Sequence, residues 1–298
     1  MEGKAFCPAH ITGFFKAELG TDTSRLPETI GSLGAGFSIN EGVTTSVNIQ
    51  ESNKLKIKIE TVGYQTDNTQ VSEFVTKEFL RLKNDQSYFI RVLHKISVPV
   101  GYGLGCSGAV ALSLAMALDK AFGTNLSKEK IGQIAHKAEV RCKTGLGDVL
   151  GSYHGGFEIR TKAGSPGVGL LEKIATNFEV IFICFSPIST KKFITERLDS
   201  INGLGEKMVS RLIASKNCED YQDMSIQFAE YIQVMTPKMH DVITDLHNNG
   251  LKCGVALFGE TVYSIVPSHK INDAMKILKK YDGIIIKSKI DNVGARVE

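Results

Sequence analysis

Ser107, Glu139 and Asp148 are the polar side chains whose setting could do phosphoryl-transfer chemistry. Ser107 lies in the stretch Pro99-Val-Gly-Tyr-Gly-Leu-Gly-Cys-Ser-Gly-Ala109, directly before the apolar run Val110 to Leu118. The glycines at 101, 103, 105 and 108 let the backbone take positive φ and approach a ligand closely, and the Ala/Leu-rich run after them is a strong helix former. A loop of bare N–H groups therefore opens onto a helix N-terminus, where unpaired amides and the macrodipole favour an anion. The competing reading is a glycine turn capped by Ser107 with no ligand. Four glycines between Gly101 and Gly108 weigh against it.

Two phosphate-binding classes do not fit this loop. It lacks the Gly-Lys-Ser/Thr ending of a Walker A sequence, so the usual lysine and its following hydroxyl are missing. Gly103-Leu-Gly-Cys-Ser-Gly108 spells the dinucleotide fingerprint, but that fold needs a second parallel strand ending in an acidic residue about 20 positions on. Here a second helical pattern follows instead. A nicotinamide-dependent oxidoreductase is thus the weaker alternative, and a catalytically silent nucleotide-binding protein is weakened by the three polar residues together.

Glu139 falls on a helical stripe, and Asp148 sits among Gly145, Gly147 and Gly151. A hydroxyl plus a carboxylate suits Mg2+, which takes few protein oxygens and keeps waters. A further carboxylate can orient an acceptor alcohol during phosphoryl transfer, where positioning and charge neutralisation do most of the work. The bland alternatives are an exposed helical glutamate and a turn-forming aspartate.

Several elements must position these groups. Lys4 to Gly13, Phe37 to Asn40, Val43 to Ile49 and Leu55 to Glu60 alternate with period two and are expected to form antiparallel strands joined by hairpins. Val71 to Lys83 has the spacing of an amphipathic helix, and Tyr88 to Val98 is a strand feeding the glycine loop. Ser127 is an expected N-cap for the helix carrying His136 and Glu139. Gly155 and Gly156 turn into a strand ending in Arg160. The breaker-rich Gly164 to Gly169 is the candidate linker, dividing the chain into residues 1–164 and 165–298. The second part reads as strand, helices, two strands, helix and strand, a helix-covered antiparallel sheet in an α+β protein.

The 298 residues, 42% hydrophobic and 22% charged, can bury one large core or two. A formal charge of +3 and no Lys/Arg cluster interleaved with aromatics argue against nucleic acid as a partner. No stretch is apolar enough to cross a membrane. Six scattered cysteines without a Cys-x-x-Cys pair fit free thiols in a reducing cytoplasm.

The central motif resembles the Pro-x-x-x-Gly-Leu-Gly-Ser-Ser-Ala motif of the GHMP small-molecule kinases, and Glu139, Gly147-Asp148 and Gly155-Gly156 follow in that family's order. Pro8-Ala-His-Ile-Thr-Gly-Phe-Phe15, Gly31-Ser-Leu-Gly-Ala-Gly36 and the Ser107-Gly-Ala109 form are similar to its archaeal pantoate kinase branch. Cys106 stands where a serine is common. Lys252-Cys-Gly-Val-Ala-Leu-Phe-Gly259, at the place of a glycine-rich third motif, has two glycines.

The resemblance implies a ribosomal protein S5-like N-terminal domain and a ferredoxin-like C-terminal domain, with ATP and Mg2+ in the cleft between them. It implies metal binding by Ser107 and Glu139, action of Asp148 on the acceptor hydroxyl, and phosphates wrapped by Gly101, Gly103, Leu104, Gly105, Cys106, Ser107, Gly108 and Ala109. Ser32, His136, Arg160 and Thr190 match substrate and phosphate positions of the branch. A guanidinium at Arg160 could hold a substrate carboxylate bidentately, an exposed strand-end arginine being the alternative. His136 reads equally as a core or surface histidine, and Thr190 as a helix cap. The expected reaction is ATP-dependent phosphorylation of pantoate to 4-phosphopantoate, toward coenzyme A, in the cytoplasm. A family member acting on homoserine or mevalonate is the alternative. No motif specifies assembly, and a homodimer is compatible with the sequence.

Overall fold

The computed structural model describes residues 1–19, 26–83, 87–188 and 190–298, with the backbone alone for 190–197. The alternating segments form β1 (Glu2–Glu18), β2 (Gly31–Glu51), β3 (Lys56–Gly63) and β4 (Tyr88–Ile96), with α1 (Gln70–Lys83) between the last two. The segment expected as separate strands around Asn40 is one long strand, because a local irregularity at Asn40-Glu41 bends β2 without ending its pairing to β1. The expectation of hairpin-joined antiparallel strands holds for β1 and β2 and fails at β3. That strand pairs in parallel with β4, since α1 carries the chain across before β4 begins.

After the glycine loop come α2 (Cys106–Phe122), α3 (Lys128–Cys142) and α4 (Asp148–His154), then β5 (Phe157–Lys162) and β6 (Leu170–Ile174). Helix α2 is apolar nearly all round and buried along its length against β1 and β2. Ser127 caps α3 as its position predicts, accepting the Lys130 N–H at 3.1 Å. The first sheet runs β4 between β3 and β2, then β1 beside β2, with β5 and β6 added at the far half of β2. Gly164 to Gly169 links β5 to β6 within this sheet, and the chain leaves for the second sheet between Ile174 and Glu179.

The second sheet contains β7 (Glu179–Pro187), β8 (Gly254–Ala256), β9 (Gly259–Val266) and β10 (Ile284–Lys289). Three helices, α5 (Thr190–Ser215), α6 (Cys218–Tyr231) and α7 (Pro237–Asn248), intervene between β7 and β8, and α8 (Ile271–Leu278) between β9 and β10. Its order, β10-β7-β9-β8 with every pairing antiparallel, is the ferredoxin-like arrangement with extra helices. The final strand β11 (Arg296–Val297) returns to pair with β1 in the first sheet. All six cysteines are unpaired thiols.

The two sheets share one apolar core. Phe37 of β2 lies 6.2 Å from the Phe182 ring of β7 and 5.1 Å from Tyr263 of β9, and Tyr221 of α6 touches Phe14, Phe37 and Phe157. Replacing Phe37 with Ala removes the ring at this junction and should destabilise the protein by about 3–5 kcal/mol, the range for buried Phe truncation. In urea unfolding followed by fluorescence and circular dichroism, the expected result is one transition, moved to lower urea as a unit.

Candidate active site

The glycine loop, the α3–α4 connection and the β8–β9 turn enclose a cleft of about 460 Å³, whose wall includes Thr12, Phe15, Ser32, Ser107, Asp148 and Phe258. Gly101, Gly103 and Gly105 all take positive φ. At Gly105 the requirement is double: its φ of 57° is left-handed, and a Cβ there would meet the His10 carbonyl oxygen at 2.5 Å. Gly105 is the N-cap of α2, and no side chain caps the helix. The leading N–H groups of α2 are thus left for an anion at the cleft. Ser107 is the second helical residue, and its hydroxyl turns to a carboxylate instead of the helix backbone.

That carboxylate is Glu139, 1% exposed. Its Oε1 accepts the Ser107 hydroxyl at 2.6 Å and the Thr144 hydroxyl at 3.0 Å. Burial, reinforced by the Asp148 charge, raises its pKa to about 7. Gly145 packs on the same carboxylate, and a Cβ there would lie 2.4 Å from Glu139 Oε2 and displace it. Cys106, beside Ser107, is a buried thiol pushed to about 12 by desolvation and by Glu139, so it stays neutral.

Asp148 is the first residue of α4 rather than a turn residue, and it anchors a chain of buried charges. His10 Nδ1 lies 2.9 Å from Asp148 Oδ1, and His10 Nε2 lies 3.1 Å from Glu158 Oε1. Arg160 donates to the same Glu158 oxygen at 2.5 Å and to Thr12 Oγ1 at 3.4 Å. Two shifts in the β1–β2 register, between Pro8 and Ala9 and between Thr12 and Phe14, bracket His10 and Thr12. Such bulges re-aim side chains along a strand. Burial opposes charge on His10, but Glu158 and Asp148 outweigh it and raise the imidazole to about 9. As an imidazolium, His10 can donate from both ring nitrogens, one to each carboxylate.

With this geometry in view, comparison with known proteins is decisive. Residues 71–156 match the family described as GHMP kinases N terminal domain. Pantoate kinase from Methanocaldococcus jannaschii is 31% identical, the match covering 92% of this chain and 96% of that protein. This chain belongs to the GHMP kinase family. Pantoate kinase from Methanospirillum hungatei is 29% identical over 98% of this chain and 95% of the relative. A solved structure titled "Phosphotransferase related to CoA biosynthesis pathway" superimposes with a TM-score of 0.89 at 25% identity, covering 100% of this chain and 99% of that one.

Within this GHMP kinase, Ser107 and Asp148 line one cleft together with Gly101, Gly103, Leu104, Gly105, Cys106 and Ser32, and Glu139 lies buried beneath the lining against the Ser107 hydroxyl. Gly108 and Ala109 lie in the first turn of α2, behind the lining. Arg160 is not an exposed strand end but 0% exposed, with Nε as its one nitrogen without a partner. His136 lies off the cleft lining, its Nε2 2.8 Å from the Ile30 carbonyl, two residues before Ser32. Thr190 opens α5, and its side chain lies outside the described residues. His10, Thr12, Thr144 and Glu158 were not marked by the sequence reasoning. The available signal was Glu158 two residues before Arg160, a spacing that puts both on one face of a strand.

His10 gives this site a pH signature. Its folded pKa, about 9, is raised above the ordinary 6.5, so its stabilising contribution is fully present below about pH 6.5 and is lost as pH rises through 9. Histidine NMR titration should find one imidazole near 9, and Glu158→Gln should lower it. Thermal melts should fall across pH 6.5 to 9.5 more steeply in the wild type than in His10→Gln.

Proposed function

We propose that this protein transfers a phosphoryl group from ATP to the primary hydroxyl of pantoate, giving 4-phosphopantoate for coenzyme A biosynthesis. The observation that carries the reading is the near full-length likeness to pantoate kinases in a chain whose Ser107, Glu139 and Asp148 meet beside an uncapped helix start. ATP supplies the phosphoryl group, and the amides of the Gly101 to Gly108 loop and the α2 N-terminus hold its phosphates.

Among the described residues, no cluster of three or more His, Cys, Asp or Glu forms a metal cage. The Ser107 hydroxyl and the Glu139 carboxylate are nevertheless two hard oxygens 2.6 Å apart, and burial and the Asp148 charge raise the Glu139 pKa, a setting that a further cation would relieve. This sparse donor set fits Mg2+, which completes its shell with water and phosphate and neutralises polyphosphate charge.

The acceptor hydroxyl is oriented by Asp148. Its Oδ1 is held by His10 and approached by Thr12 at 3.5 Å, which leaves Oδ2 to the alcohol. A loose transition state asks little of a base, so orienting the hydroxyl is the larger part of this role. Ser32 faces the cleft as a substrate contact. His136 fixes the segment leading to Ser32, and Arg160 holds Glu158, which in turn holds His10, while adding positive charge behind the cleft wall. Thr190 is proposed as a substrate contact from its matching position.

A screen of pantoate, homoserine and mevalonate with ATP and Mg2+, read by ADP release, should show turnover on pantoate, and activity confined to another alcohol would reassign the acceptor. Asp148→Asn should lower kcat by about 10²–10⁴-fold with ATP affinity unchanged, the range for a lost positioned acid or base group. Ser107→Ala should impair transfer while circular dichroism stays native. Near-normal turnover in either variant would remove that residue from the mechanism.

A further inference from the structure

The turn Leu257-Phe258 between β8 and β9 occupies the place of the glycine-rich third motif but presents an aromatic ring to the cleft. Phe258 has φ 63°, in the left-handed region that favours glycine and that a bulky side chain rarely adopts. Strain of this kind persists where the surroundings over-determine the backbone, and it concentrates at ligand-binding positions.

The surroundings do fix this turn. The Leu257 N–H donates to the Thr12 carbonyl at 3.1 Å, and Thr12 Oγ1 lies 3.5 Å from Asp148 Oδ1. On the other side the turn backs the glycine loop, so closely that a Cβ on Gly103 would lie 2.4 Å from the Leu257 oxygen. Phe258 is thereby placed between the residue that meets the acceptor hydroxyl and the loop that meets the phosphates. Its ring packs edge-on against Phe15, centroids 5.7 Å apart, and Phe15 is itself 3% exposed and packed on Phe228. The two rings make an apolar face in a cleft whose lining also carries the polar side chains of Thr12, Ser32, Ser107, Thr144 and Asp148 and the aliphatic ones of Leu104 and Leu146.

Pantoate carries two methyl groups on the carbon between its two hydroxyl-bearing carbons, whereas homoserine has none. We infer that Phe258, backed by Phe15, is the wall that receives this doubly methylated carbon and selects a branched hydroxy acid over an unbranched one. The inference rests on the pantoate reading above and adds the residue that makes the choice.

The test compares kcat/KM for pantoate and for 2,4-dihydroxybutanoate, the same acid without the methyls. One extra methylene in an apolar pocket is worth about 10–200-fold in discrimination, so two methyls should give the wild type a preference of at least about 100-fold. Phe258→Gly, which takes the left-handed backbone without strain, should cut that preference by about tenfold or more through a higher KM for pantoate, with the unbranched acid little changed. Phe258→Asn, also tolerant of that backbone, should act alike, and Phe258→Leu should keep most of the preference. An equal loss on both acids, or an unchanged preference, overturns the wall. Should the wild type phosphorylate neither acid, the functional reading fails separately. Calorimetric binding of the two acids with a non-hydrolysable ATP analogue then decides the wall, and equal affinities in wild type and Phe258→Gly overturn it.

Discussion

A row of charges, Asp148 at the cleft surface and the buried His10, Glu158 and Arg160 behind it, is the constraint on which the candidate active site depends. A charge taken out of water is costly unless it is paired and hydrogen-bonded. Each member here is held by the next: His10 by two carboxylates, Glu158 by His10 and Arg160, Arg160 also by Thr12. The row draws on β1, β5 and the start of α4, so forming it brings these three elements to one place. The register shifts in β1 and β2 are the local deformation that allows an inward-facing imidazole in the middle of a long strand pair.

Around that row the chemistry divides between two kinds of backbone. In the proposed reaction the phosphates meet a glycine loop and an uncapped helix start, which offer N–H groups where side chains would intrude. In the proposed reaction the acceptor side is built from side chains on regular elements, Thr12 on β1, Ser32 on β2 and Asp148 on α4, which suits a task that needs one fixed alcohol geometry. Glu139 connects the two sides, accepting Ser107 from α2 and Thr144 from the connection to α4.

Much of this was legible in the sequence, and the remainder was hidden for identifiable reasons. The glycine loop, its helix, Ser127 as a cap and the helix under Glu139 are local signals, encoded within a few residues of where they act. The α+β class and the antiparallel, helix-covered second sheet follow from the succession of elements, and the ferredoxin-like arrangement of that sheet was implied by the family resemblance. The pairing of β3 was misread because period-two alternation marks a strand without naming its neighbour, and the helix between β3 and β4 was not counted as a crossover. His10 was unmarked because its partners are 138 and 148 residues away. For Arg160 the sequence left a substrate contact and an exposed strand end both open, because nothing in its immediate neighbours announces that the strand is buried on both faces. The division at residue 165 came from glycine and proline spacing, which marks a turn whether or not a new sheet begins there.

The aromatic core shared by the two sheets bears on motion. Phe37 packs on Phe182 and Tyr263, β11 returns from the second half to the first sheet, and Leu257 is hydrogen-bonded to Thr12 across the cleft floor. Separating the halves would expose this packing and break those bonds together, so a wide hinge opening is disfavoured. Substrates must reach the cleft past its rim, and the fit that selects them is set when the chain folds rather than assembled by two lobes swinging shut.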